Sequence, residues 1–332
     1  MSETPQYLTR PDGTRLAVYQ HEPHAQPDVT LVLAHGWSSA ARVWDPVITQ
    51  LPVDGRLRVI TYDQRGHGSS THGRTPPDID VLADDLEAVL TAFSHDVPAI
   101  VAGHSMGSMA VLAYAARGAP TTRVAGLLLV SASSGQVDLR LDDHPPLTRV
   151  RGNVRMAIAQ ACSRAPRSTQ HLRDLLSPST APRPDIDVAA AWFRAILDFD
   201  VAGRLTPLQN TPVHLVTGAQ DRVLPPLHTC RLAAELVHAR IHVAEGATHR
   251  LPSERPALLA SLLMNLVDRA RGRRPAETQE TDSLLRAVAH LLLPKRRALP
   301  LAGRFARIEP HPVQRPGTPT HLGQETLIET RQ

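Results

Sequence analysis

Gly103-His104-Ser105-Met106-Gly107 stands between an apolar run, residues 98–102, and a stretch of small and apolar residues, 108–116. The first reads as a short buried strand and the second as a helix, so Ser105 falls at a strand-to-helix junction. A serine held there takes a strained backbone conformation, tolerable where the flanking positions carry no bulky side chain, which is what Gly103 and Gly107 supply. Its hydroxyl then stands clear of the sheet. The first amides of the helix point at it and can stabilise a negative oxygen. A chain with 19 glycines in 332 residues reaches such a pentapeptide by chance often enough that its company has to decide.

That company lies on both sides. Residues 29–34 form a strand-like run that ends in His35-Gly36-Trp37-Ser38-Ser39. The plain reading is a polar turn; the functional one makes the Trp37 N–H, with that of Met106, a donor pair for a developing oxyanion. Residues 58–62 read as the next strand, closed by Asp63-Gln64-Arg65-Gly66-His67-Gly68. A structural loop is expected there, with Asp63 and Arg65 bonding loop amides and each other and His67 taking no part in catalysis. Downstream, the strand 213–218 runs into Ala219-Gln220-Asp221, and the strand 239–243 leads to Gly246-Ala247-Thr248-His249. A helix starting near Ser253 follows, with apolar residues 258, 259, 262, 263, 266 and 267 at helical spacing. Ser105, Asp221 and His249 thus come in the order nucleophile, acid, base. Serine is a weak nucleophile at neutral pH, so it needs an imidazole to take its proton, and the imidazole needs a carboxylate to fix its tautomer.

On these four motifs the sequence resembles the α/β-hydrolase family over about residues 7–270. The resemblance implies an α/β fold with a mostly parallel eight-stranded sheet flanked by helices, carrying a helical cap insertion, and an active site at the carboxyl ends of the strands. It also implies that Ser105, Asp221 and His249 are the catalytic trio and that Trp37 and Met106 donate to the oxyanion. Some relatives place the acid one strand earlier. Here that strand, 127–131, continues into Ala132-Ser133-Ser134-Gly135 with no carboxylate, so Asp221 keeps the role.

The expected organisation is a first core segment over 1–135, a cap over 136–208, a second core segment over 209–270 and an extension over 271–332. The cap is expected to hold short helices at 153–162, 169–176 and 188–198, separated by prolines. Trp192, Phe193, Ile196 and Leu197 either line a substrate pocket or pack the cap onto the core, packing being the default for any one of them. Past Arg271 a linker, an apolar helix over 281–293 and a Pro/Arg-rich tail, disordered from about 308, are expected. That helix docks on its own core by default; contact with a membrane surface or another chain is the alternative, and the oligomeric state stays open.

Composition narrows the function classes. Hydrophobic residues make up 42% and aromatics 3%, so Leu, Val and Ala build the core. The formal charge is +4, and Lys295 is the one lysine among 36 basic residues. No basic cluster is interleaved with aromatics, which argues against nucleic-acid binding. Residues 1–6 lack the basic and apolar regions of a signal peptide and no apolar run reaches transmembrane length, so a cytoplasmic protein is expected. Cys162 and Cys230 are expected to be free thiols, and the 17 histidines show no metal-ligand spacing, so neither metal nor cofactor is implied.

The expected activity is hydrolysis of a small-molecule carboxylic ester through an acyl-enzyme on Ser105. Amide, lactone or carbon–carbon bond hydrolysis and cofactor-free perhydrolysis stay open, since all use the same trio. Epoxide hydrolases and haloalkane dehalogenases on this fold use an aspartate nucleophile, and the four tyrosines, at 7, 19, 62 and 114, all lie outside the cap. Both activities are disfavoured. From a different class, a small-molecule sensor that turns over slowly or not at all remains as an alternative.

Overall fold

The computed structural model describes residues 4–21, 25–52, 55–94, 96–118, 124–135, 137 and 186–273. All of these belong to the first of two units into which the chain divides, Met1–Leu293. The expected helices at 153–162, 169–176 and 281–293, the tail, Cys162 and Lys295 lie outside the described residues, as does most of the expected cap.

Eight strands form one sheet: β1 (Gln6–Thr9), β2 (Arg15–His21), β3 (Val29–Ala34), β4 (Leu57–Tyr62), β5 (Ala99–His104), β6 (Val124–Val130), β7 (Val213–Gly218) and β8 (Arg240–Ala244). Their order is β1-β2-β4-β3-β5-β6-β7-β8. β2 runs antiparallel to both neighbours, and every pair from β4 through β8 is parallel. The expected mostly parallel eight-stranded α/β sheet is therefore present. β3, β5 and β7 are buried along their whole length, as parallel strands covered on both faces must be.

Strand alternation sends side chains into two separate cores. Val32, Val101, Leu127, Leu129 and Leu215 face one core, where they meet α2 (Ile79–Phe93), α3 (Met106–Ala116) and α4 (Ile186–Asp198). Leu31, Leu33, Ile100, Leu128, Val130 and Val216 face the other, with α1 (Asp45–Ile48) and α7 (Pro256–Ala270). Leu259, Leu262, Leu263 and Leu266 of α7 are fully buried, each worth about 1.5–3 kcal/mol of transfer free energy. α5 (Pro226–Glu235) packs beside β7, and α6 (Leu251–Glu254) precedes α7.

Parallel strands share one direction, so β3, β5, β6 and β7 deliver their exits to the same edge of the sheet. Four loops meet there: 35–40 after β3, the turn at Ser105, residues 131–135 after β6, and 219–225 after β7. The segment 245–250 joins them from β8, and this edge holds the candidate site.

Candidate active site

Ser105 caps α3 with φ +54 and ψ −117, well outside the regions that side chains with a Cβ ordinarily occupy. The neighbouring ladder holds it there, since the Ser105 N–H donates to the Val130 carbonyl at 2.9 Å. The flanking glycines serve close approach. A Cβ on Gly103 would lie 2.5 Å from the backbone of Gly107 and Ser108, and one on Gly107 would meet the carbonyl oxygens of Ala34 and His35. Neither glycine has positive φ, so the strain falls on the serine itself.

The Asp221 side chain is fully buried in the turn after β7. Its Oδ1 accepts from the N–H groups of Val223 and Leu224, both at 2.9 Å. Its Oδ2 accepts from His249 Nδ1 and from Ser131 Oγ, both at 2.8 Å. Burial raises a carboxyl in such a place, but the His249 ring and the donated hydrogen bonds outweigh it and hold Asp221 below the usual carboxylate range. With Nδ1–H committed to the carboxylate, His249 Nε2 carries the free lone pair.

The residue before the serine contacts this pair. His104 Nε2–H donates to the His249 carbonyl at 2.8 Å, and the two rings lie 5.0 Å apart. Burial lowers His104 to about 3, with the His249 ring beside it acting the same way, so it stays neutral. Ser105 and His249 are almost wholly buried, 7% and 5% exposed.

Met106 and the loop that carries Trp37 both come close to the serine in the backbone. Met106 opens α3, where a backbone N–H has no intrahelical acceptor. The loop carrying Trp37 crosses over Ser105 so closely that a Cβ on Gly36 would lie 3.3 Å from that of Ser105. The Trp37 indole points away into α4, donating to the Ala189 carbonyl at 2.9 Å and packing at 5.2 Å on Phe193. Trp192 is fully buried, its ring 6.3 Å from that of His67. Phe193, Ile196 and Leu197 belong to the same core as the sheet. One cleft that α4 borders lies on its other face, where Ala191, Arg194, Ala195, Asp198 and the following Phe199 meet Pro76, Pro77 and Asp78.

The loop 63–68 is structural, with one departure from expectation. Asp63 accepts from the N–H groups of Ala41 and Ser69 and from Tyr19 Oη. Arg65 turns away to Asp85 on α2, which it grips through Nε and Nη2 at 2.6 Å, and to Asp12 at 2.8 Å. His67 donates to the Arg65 carbonyl, and burial lowers it to about 3. His35 links this loop to the loop after β3: Nδ1–H donates to the Gly36 carbonyl and Nε2 accepts from the Gln64 N–H.

Sequence reasoning did not single out Ser131 or His104. Both touch the candidate trio, and no pattern in the chain sets them apart. Among the described residues no group of three or more His, Cys, Asp or Glu could hold a metal ion, and Cys230 is a partly buried free thiol. No helix among them is long and apolar enough to cross a membrane.

Residues 31–262 match the sequence profile of a family described as the Alpha/beta hydrolase family. The chain is 29% identical over 317 residues to the Probable oxidoreductase EphD of Mycobacterium tuberculosis, covering 83% of this chain and 51% of that one. It therefore spans about half the length of that relative. A Non-heme chloroperoxidase of Streptomyces lividans is 29% identical over 281 residues, covering 78% of this chain and 98% of that protein. Among solved structures, one from work on carboxylesterases of the thaumarchaeon Nitrososphaera gargenis has a TM-score of 0.61 at 19% identity, covering 80% of this chain and 99% of the other.

Proposed function

The chain belongs to the α/β hydrolase family, and on that premise we propose that it is a serine hydrolase that cleaves a small-molecule carboxylic ester through an acyl-enzyme on Ser105. The observation that carries the reading is the buried His249–Asp221 pair, 2.8 Å apart, tied through His104 to the strained turn bearing Ser105. In this reading His249 Nε2 takes the Ser105 proton as the oxygen attacks the ester carbonyl. The N–H groups of Trp37 and Met106 receive the oxyanion, each worth about 10²–10³ in rate. His249 returns the proton to the departing alkoxide. Water then adds to the acyl group, gives a proton to His249 and releases the acid with Ser105 restored.

Residues 136–208 form the cap in this proposal, with α4 as its returning helix and Phe193 reaching the site by way of Trp37. A second reading draws on the Streptomyces relative named as a chloroperoxidase. There hydrogen peroxide takes the place of water on the acyl-enzyme, yielding a peracid and free Ser105.

A fluorophosphonate probe and a short-chain 4-nitrophenyl ester test the proposal. Labelling is expected at Ser105, absent in Ser105→Ala and strongly reduced in His249→Ala. Asp221→Asn is expected to lower turnover by up to about 10⁴ with the fold intact. A folded wild type that takes no label would overturn the enzymatic reading in favour of a small-molecule sensor, and near-normal turnover in Asp221→Asn would reassign the acid.

A further inference from the structure

Resting on the trio proposed above, we infer that Ser131 is a positioning residue: its hydroxyl fixes Oδ2 of Asp221 and moderates the negative charge that this oxygen presents to His249. Ser131 follows β6 directly and is completely buried. Its φ is +48, one of three positive values among the described non-glycine residues; the others are Ser38 and Ser105 at the same edge. Ser131 is pinned from the backbone, where its N–H donates to the Val216 carbonyl at 2.8 Å. From that position the side chain reaches Asp221.

The pattern of bonds on the carboxylate defines the role. Oδ1 is held by two backbone N–H groups, which set where the carboxylate lies. Oδ2 serves two donors at equal distance, the Ser131 hydroxyl and the His249 ring. A hydroxyl donated to a carboxylate stabilises its charge and leaves less of it for the imidazolium that forms during catalysis. Ser131 therefore acts through Asp221, opposing excessive proton retention by His249. Of the titratable groups on the elements beside His249, His104 is neutral, Arg250 is its neighbour in sequence, and Glu254, at the end of α6, is bonded to the Thr248 N–H and hydroxyl.

Ser131→Ala removes the donor and keeps the strain; Ser131→Gly removes both. In each, kcat/KM at pH 6 is expected to fall about three- to tenfold more than at pH 8, because the ring holds its proton to higher pH. The His249 Nδ1 proton, observed by NMR without turnover, is expected to move further downfield as its bond to Oδ2 strengthens. Ser131→Cys, a weaker donor at the same place, should fall between wild type and Ala. An unmoved pH profile and proton shift in both Ala and Gly would overturn the inference, and so would a shift in Gly alone, which would assign the effect to released strain. If the wild type hydrolyses no ester, the proposed function fails while the Nδ1 proton still decides the role of Ser131.

Discussion

The carbonyl oxygens of Ala34 and His35 leave no room for a side chain at residue 107, so α3 starts as close to β3 as a backbone can. The position of the Met106 N–H depends on that contact. In Gly107→Ala the new methyl meets backbone that cannot swing aside, and the first turn of α3 must shift. The expected result is a stability loss of about 1–3 kcal/mol in urea unfolding, with Ser105 labelled about 10²-fold more slowly. An unchanged labelling rate would show that the turn relaxes elsewhere. At this scale the candidate site was largely legible, because Ser105, Asp221 and His249 each follow a strand at a glycine-marked turn. Ser131 was not. It is the first of three serines in Ser131-Ala132-Ser133-Ser134-Gly135, and only the pairing of β6 with β7 turns it toward Asp221.

Arg65 shows how a loop is fastened by an element far from it in sequence. Its guanidinium and the Asp85 carboxylate are 3% and 1% exposed, with Asp12 completing the group and Arg10 adding a second cation on Asp85. Removing one partner of a buried pair strands the other charge, so Arg65→Met is expected to cost about 3–5 kcal/mol in urea unfolding. Arg65→Met combined with Asp85→Leu should recover part of that loss; a double variant no more stable than the single would point to lost packing. The strands 29–34 and 213–218 were readable to the residue, as short, mostly apolar and β-branched runs before glycine turns. α2 carries equally plain signals, Asp78 as its N-cap and buried apolar residues at 79, 82, 83, 86, 89 and 90. The partner of Arg65 was hidden because that helix presents Asp85, one acid among several, on its buried side. β1 and β2 were hidden as well: β1 is a four-residue edge strand with mostly exposed positions, and β2 inside it carries only the short apolar run Leu16-Ala17-Val18 among polar residues.

Among the described residues, buried His35, His67, His104 and His214 are kept neutral by their surroundings. Burial lowers His35 to about 4 and His67, His104 and His214 to about 3. Neighbouring rings act the same way, including His242, whose Nε2 lies 2.8 Å from His214 Nδ1 on the adjacent strand. Unfolding returns each ring to a value near 6.5. Below that pH the unfolded chain binds protons that the folded chain refuses, so stability falls as pH drops from about 6.5 toward 4. Each ring contributes up to about 2 kcal/mol of that loss at pH 5. Urea midpoints measured from pH 7.5 to 5 should decline steeply across this window, and a flat profile would mean that these rings take up protons without disturbing the fold. The indole of Trp37, seated on the Ala189 carbonyl, bears on the molecule at this scale too. Anyone grafting a foreign insertion between β6 and β7 to change selectivity would have to keep helix 186–198 or supply a substitute landing place. Without one, the swap would unseat the loop that passes over Ser105.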